Sequence, residues 1–217
     1  MSVDATGQEF TPSAGASVGP DGRRDVALCF LGDSLVCGFG DPKGQGWVGR
    51  VVGRSHHPEV DLTSYNLGVR GHTSADVLTR WTQECPARWE NRGERRIVVQ
   101  VGVNDLLRGI SLARHRLNLA NLLDEAGSQG IGTFVVGPPP TADAETNRDI
   151  EALVDAQADV CGRRNIPFVD CYRPLVTHDQ WLSELAASRD DVHPGAAGYG
   201  LIAWLVLHGG WSTWLGI

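Results

Sequence analysis

Four short blocks of this 217-residue chain carry residue types suited to acyl transfer. Gly32-Asp33-Ser34 follows the apolar run Val26 to Phe30, and Asn66-Leu67-Gly68-Val69-Arg70-Gly71 closes and follows the stretch Asp61 to Leu67. Gly102-Val103-Asn104-Asp105 follows Ile97 to Val101, and Asp190-Asp191-Val192-His193-Pro194 stands near the C-terminal end. Acyl transfer needs a hydroxyl nucleophile, a base to take its proton, a carboxylate to orient the base and N–H donors for the oxyanion. Each role has a candidate here. Taken singly, the same residues also have purely conformational readings. Ser34 reads as a helix N-cap, Asn104 as a left-handed turn residue, Gly68 as a position needing positive φ, and His193 before Pro194 as a surface turn. Asp33 and Asp105 are expected to hold their loops through hydrogen bonds to backbone N–H groups.

Other motifs are weaker. Gly44-Gln45-Gly46-Trp47-Val48-Gly49 matches the dinucleotide fingerprint, whose glycines must follow the strand directly so that pyrophosphate meets the helix N-terminus. Here thirteen residues, 31–43, intervene, and Asn66 stands where an acidic residue should hold ribose. These glycines are expected to shape a loop beside the site, with no cofactor. Gly15-Ala16-Ser17-Val18-Gly19 matches the nucleophile elbow but lies in a polar segment with no preceding strand. His56-His57 are adjacent and no H-E-x-x-H occurs, which speaks against a metal. His72 reads as a plain loop histidine, with a reach to the substrate as the lesser alternative, and Cys37 as a small buried side chain.

The blocks need elements to position them, and the chain supplies alternating ones. Strands are expected at Val26 to Phe30, Asp61 to Leu67, Ile97 to Val101, Thr133 to Val136 and Pro167 to Val169. Helices are expected from Trp47, over Ser74 to Trp89 with Ser74 as cap, and over Ser111 to Ser128, Asp143 to Arg163 and Ala196 to Leu207. Such alternation predicts βαβ units and a parallel sheet covered on both faces. Ligands then bind beyond the carboxyl ends of the strands, where the first three blocks lie.

Bulk properties narrow the class. A formal charge of −7 argues against nucleic acid or an anionic membrane as partner. The basic spot Arg92 to Arg96 reads as a solvated lead-in to a strand. Five scattered cysteines, none in C-x-x-C, fit reduced thiols and a cytoplasmic location. Residues 1–24 are polar and aperiodic, so they are expected to form a flexible tail with no secretory signal, ahead of one domain over 25–217. Residues 200–217 hold no charged side chain and three of the seven tryptophans. Gly209-Gly210, Ser212 and Thr213 interrupt that run, so a buried last helix with an aromatic tail is expected and no membrane span. A second reading gives Trp211 and Trp214 an interfacial or homodimer contact.

The four blocks, in this order over Asp25 to Leu207, resemble the GDSL, or SGNH, hydrolase superfamily of esterases, lipases, thioesterases and carbohydrate deacetylases. That resemblance implies a flavodoxin-like three-layer α/β/α sandwich around a central five-stranded parallel sheet. It implies Ser34 as nucleophile, His193 as base and Asp190, three residues ahead, as the orienting acid. It further implies an oxyanion hole from the N–H groups of Ser34 and Gly68 and the side chain of Asn104. The substrate would be a small-molecule ester, with no metal or organic cofactor. The glycine-rich segment Gly38 to Gly46 departs from many members and bears on the shape of the mouth. Two rival readings are a non-catalytic flavodoxin-like binding protein and a membrane-surface lysophospholipase using the tryptophan tail. Intact Ser34, Asn104 and His193 favour catalysis over the first.

Overall fold

The structure, a computed structural model, describes residues 18–217. Five strands, β1 (Arg24–Gly32), β2 (Val60–Gly68), β3 (Glu94–Gln100), β4 (Gly132–Val136) and β5 (Phe168–Val169), form one all-parallel sheet in the order β2-β1-β3-β4-β5. β1 is an interior strand, between β2 and β3, and its residues are apolar on both sides. Val26, Leu28 and Phe30 point into one core, while Ala27, Cys29 and Leu31 point into the other, all with no exposed surface.

Between the strands lie α1 (Ser34–Cys37), α2 (Gly46–Val52), α3 (Ser74–Glu84), α4 (Pro86–Trp89), α5 (Val103–Leu107), α6 (Leu112–Ser128) and α7 (Ala144–Gly162). After β5 come α8 (Asp179–Ala186), α9 (Ala196–Val206) and α10 (Ser212–Leu215). Trp47, Val48 and Val51 of α2 and Ile202, Ala203 and Val206 of α9 cover the Phe30 face of the sheet. Val77 and Trp81 of α3 and Leu119, Leu122 and Leu123 of α6 cover the other face. The result is the three-layer α/β/α arrangement with a five-stranded parallel sheet.

Several local expectations need correction. The helix begun at Ser74 breaks where Pro86, lacking an N–H, opens α4. Its cap is Thr73, not Ser74: the Thr73 side chain accepts the Asp76 N–H while Asp76 accepts the Thr73 N–H. The Arg92 to Arg96 segment is no solvated lead-in. Arg92 pairs with Asp25, and Glu94 binds both Arg24 and Arg96. Val18 and Arg24, both within the expected tail, belong to the fold: Val18 bridges Arg24, and Arg24 is a buried residue of β1. Residues 1–17, including the Gly15 to Ser17 part of the elbow-like motif, lie outside the described residues.

The C-terminal segment is core, not tail. A π-type turn over Leu207–Trp211, with Gly210 at φ +91°, turns Trp211 inward. Its ring stacks on Phe30 at 6.1 Å and meets Phe134 edge-on at 5.5 Å, and its Nε1–H donates to Ser55 Oγ at 2.8 Å. Trp211 has no exposed surface, so it is unavailable for a dimer or membrane contact. The exposed tryptophan of this region is Trp204, stacked on His208. Arg24 donates to the carbonyls of Leu215 and Gly216, and Arg96 to that of Trp214, which fastens the last turn to the sheet. Among the described residues no helix is long and apolar enough to cross a membrane.

Candidate active site

The first three blocks emerge side by side because β2, β1 and β3 are neighbours in register, Gly32 lying opposite both Gly68 and Gln100. After β1 the chain turns at once into the single-turn helix α1. Asp33 caps it by accepting the Leu35 N–H at 2.9 Å, so Ser34 becomes the first helical residue. The Ser34 N–H belongs to the first turn, where helical donors have no intrahelical acceptor, and it has no partner among the described residues. Gly38, left-handed at φ +80°, ends the helix and leads to Phe39.

His193 reaches Ser34 from the far end of the sequence. Its Nε2 lies 2.7 Å from Ser34 Oγ, and its Nδ1 lies 2.7 Å from Asp190 Oδ2. An ionised carboxylate only accepts, so Nδ1–H donates to Asp190 and Nε2 is left to accept the Ser34 proton. Asp190 Oδ1 accepts the N–H groups of Val192 at 3.2 Å and His193 at 3.0 Å, which closes a tight turn around the carboxylate. Burial opposes its charge, but those N–H groups and the His193 ring outweigh burial and hold the carboxyl below its ordinary range. Asp191 is directed elsewhere. It sits at φ +58° and its carboxylate accepts no hydrogen bond among the described residues; its backbone links Ser188 Oγ to the Ala142 N–H.

On the opposite side of Ser34, Asn104 Nδ2 donates to Asp33 Oδ2 at 2.9 Å and to the His72 carbonyl at 3.2 Å. Asp33 is almost wholly enclosed. Burial pushes its carboxyl up to about 6, against the lowering effect of the Leu35 N–H and the Asn104 amide. Asp105 lies beneath this layer. It accepts the Ser74 N–H at 2.7 Å and the Ser74 hydroxyl at 2.5 Å, and His115 Nδ1 lies 2.6 Å from it. Asp105 thereby ties the start of α3 to α5 and α6.

Gly68 does not present an open donor. Its N–H donates to Asn66 Oδ1 at 3.0 Å, while Asn66 Nδ2 donates to the Val36 carbonyl. A Cβ at Gly68 would lie 2.3 Å from the Cys37 nitrogen and 2.7 Å from the Asp33 oxygen. Gly68 therefore serves close backbone packing against the turn that carries Ser34. The glycine of the same block with an unpartnered N–H among the described residues is Gly71, at φ +77°.

In the Gly44 to Gly49 motif the N–H groups of Gly44, Gln45, Gly46 and Gly49 are taken up within the chain. Asp41 accepts the N–H of Lys43, Gln45 and Gly46 and pairs with Arg50 at 2.5 Å. Burial would raise the Asp41 carboxyl, but Arg50 and those N–H groups hold it down to about 2. Gly38 and Gly46 pack backbone to backbone, and this loop borders the site.

Side chains to which the sequence assigned no role border the site. Phe39 meets the His193 ring edge-on at 4.9 Å, and its carbonyl accepts the Tyr199 hydroxyl at 2.6 Å. The Arg70 guanidinium covers the face of Phe39 at 3.5 Å from the ring centre. A cavity of about 350 Å³ opens beside His193, lined by Phe39, Gly40, Glu184, Arg189 and Asp190. Cys37, expected to be buried, is exposed, because α1 ends there.

A three-layer α/β/α fold in which a serine at the exit of β1 meets a histidine and an aspartate from the segment between α8 and α9, in one hydrogen-bonded chain, is an arrangement that can support ester hydrolysis. Residues 30–201 match the GDSL-like Lipase/Acylhydrolase family, and the chain belongs to that family and is a carboxylic ester hydrolase. Similar proteins include the Esterase TesA of Pseudomonas aeruginosa, 28% identical over 78% of this chain and 80% of that protein. An acetylxylan esterase of Geobacillus stearothermophilus is 24% identical over 81% of this chain and 90% of its own length. A catalytic mutant of the acetylxylan esterase Axe2 from that organism superimposes with a TM-score of 0.68 at 22% identity, covering 84% of this chain and 93% of that one. The lipase/acylhydrolase of Enterococcus faecalis gives 0.67 at 26% identity, covering 86% and 96%.

Proposed function

We propose that this esterase works through an acyl-enzyme, with Ser34 as nucleophile, His193 as general base and acid, and Asp190 as the group that orients the ring. The observation that carries the reading is the continuous hydrogen-bonded chain from Asp190 through His193 to Ser34, with 2.7 Å at each link. His193 Nε2 takes the Ser34 proton as Oγ attacks the ester carbonyl, and Asp190 stabilises the imidazolium that forms. His193 then returns the proton to the departing alcohol, and water repeats the sequence on the acyl-enzyme. Catalytic mutants of Axe2 with alanine in place of a serine, an aspartate or a histidine are consistent with the same three side-chain types acting here.

For the oxyanion we assign the Ser34 N–H, the Asn104 amide and the Gly71 N–H. Gly71 replaces Gly68 in this role because the Gly68 N–H is spent on Asn66. Asn104 keeps one N–H on Asp33 and transfers the other, now on the His72 carbonyl at the longer 3.2 Å, to the developing charge.

The test is a fluorophosphonate probe followed by mass spectrometry, beside a panel of p-nitrophenyl esters and acetylated sugars. Ser34 alone is expected to carry the adduct, and Ser34→Ala is expected to lose both labelling and turnover. An adduct on another serine, or full turnover by Ser34→Ala, would overturn the assignment. The sugars belong in the panel because one similar protein is named for acetylxylan.

A further inference from the structure

Arg80 lies on α3, in none of the sequence blocks, yet it touches the backbone that forms two of the three strand exits. Its Nη2 donates to the carbonyls of Gly32 at 3.0 Å and Leu67 at 2.7 Å, the ends of β1 and β2. Its Nε donates to His72 Nδ1 at 3.0 Å, and its Nη1 binds Glu84 at 2.8 Å. All three guanidinium nitrogens are in use, and the side chain is only 11% exposed. We propose that Arg80 is a positioning residue for the oxyanion hole; the proposal rests on the acyl-enzyme reading above.

Three connections carry it. Gly32 directly precedes the Asp33-Ser34 turn, so holding its carbonyl fixes the peptide plane from which that turn, and with it the Ser34 N–H, is built. β2 is an edge strand, so its last carbonyls lack a second strand, and Arg80 supplies the donor that fixes the start of the loop ending at Gly71. An arginine N–H always donates, so His72 Nδ1 accepts and the ring carries its proton on Nε2. The carbonyl of that same His72 holds the Asn104 amide at 3.2 Å. Arg80 thus reaches the supports of all three assigned oxyanion donors. It has no hydrogen bond to Ser34, His193 or Asp190 among the described residues. Oxyanion donors act only when placed about 2.7–3.1 Å from the charge, so a small drift of these supports weakens transition-state binding and spares substrate binding. A lysine carries its three donors on one atom and lacks the rigid fork by which Arg80 reaches His72 from Nε and the two carbonyls from Nη2.

The experiment compares Arg80→Met and Arg80→Lys with the parent enzyme. Competent sites are counted by stoichiometric fluorophosphonate labelling, so kcat is expressed per labelled Ser34. For Arg80→Met, kcat per site is expected to fall roughly 10- to 100-fold with KM changed less than about threefold. The inhibition constant of a trifluoromethyl ketone, which places an oxyanion in the hole, should weaken by the same factor. Arg80→Lys, which keeps the charge and is the milder change for folding, should lie between. A merely structural role would lower the melting temperature and the labelled fraction while leaving kcat per site and ketone affinity unchanged, and that result would overturn the proposal. A rise in KM at constant kcat would also overturn it. Failure of the parent enzyme to label at Ser34 would be a separate, recognisable failure of the acyl-enzyme reading, and the positioning role would fall with it.

Discussion

Two adjacent aspartates precede His193, and only one has its carboxylate on the ring. Asp190→Asn is expected to lower kcat by about 10²-fold or more, since an amide in that place no longer fixes the tautomer or stabilises the imidazolium. Asp191→Asn should cost less than about tenfold, because asparagine tolerates the left-handed backbone at φ +58°. Measuring both on one ester at one pH decides the ranking. Asp33 gives a second, pH-dependent expectation. Its carboxyl is raised from 3.8 to about 6, so the fold favours its protonated form. That contribution to stability is fully present below pH 3.8 and is lost as pH rises through about 6. Parent enzyme should therefore lose about 2 kcal/mol relative to Asp33→Asn between pH 4.5 and 7, read from urea midpoints at the two pH values. At this scale the sequence was legible where a residue type is chemically irreplaceable: Ser34, Asn104, Asp190 and His193 all converge on one site. Of the two glycines of Asn66 to Gly71, the sequence reading took Gly68 for the oxyanion hole, and spacing offered no ground to prefer Gly71. Which N–H is open depends on the Asn66 side chain folding back onto Gly68, and spacing does not record that. Arg80 and Phe39 were invisible because an arginine on a helix or a phenylalanine in a loop has no pattern of its own.

The elements translate those glycines into different sensitivities. A methyl group at Gly68 meets the backbone of Cys37 and Asp33 at 2.3 to 2.8 Å, and neither can give way without moving the Ser34 turn. Gly68→Ala should therefore destabilise the protein by more than about 2 kcal/mol and lose most activity. At Gly71 the nearest atom is the flexible end of Arg108 at 3.3 Å, so the cost is chiefly the positive φ, about 1 kcal/mol. Gly71→Ala should fold and melt within a few degrees of the parent, with its loss concentrated in kcat. Thermal melts and steady-state kinetics on both variants check this pair. The strands were the legible part of the fold, since short β-branched runs bounded by glycine and proline allow few alternatives. Helix starts were less so: Thr73 and Ser74 are both capping residues, and the choice falls to Thr73 because Asp105 claims Ser74 from another element.

For the whole molecule, the decisive part is the last ten residues. Trp211 fills the space between Phe30 and Phe134, and the final carbonyls satisfy Arg24 and Arg96. Trp211→Ala should cost about 3–5 kcal/mol. Truncation after Leu207 should prevent folding, because it removes the Trp211 core contacts together with the carbonyls that accept from buried Arg24 and half-buried Arg96; circular dichroism and urea melts distinguish the two outcomes. An uncharged, tryptophan-rich stretch read from sequence gives no sign of whether it faces inward, since Gly209-Gly210 marks a break equally well as a tail or as a hinge. The link between Ser34 and His193 spans 159 positions, and this has a consequence in time. During synthesis at about 5–20 residues per second, the serine is made roughly 10–30 s before its base. Until the last quarter of the chain has docked, Ser34 is an ordinary alcohol. In a refolding experiment, returning ester turnover therefore dates the final assembly of the protein, later than any signal from the pairing of β1 with β2 and β3.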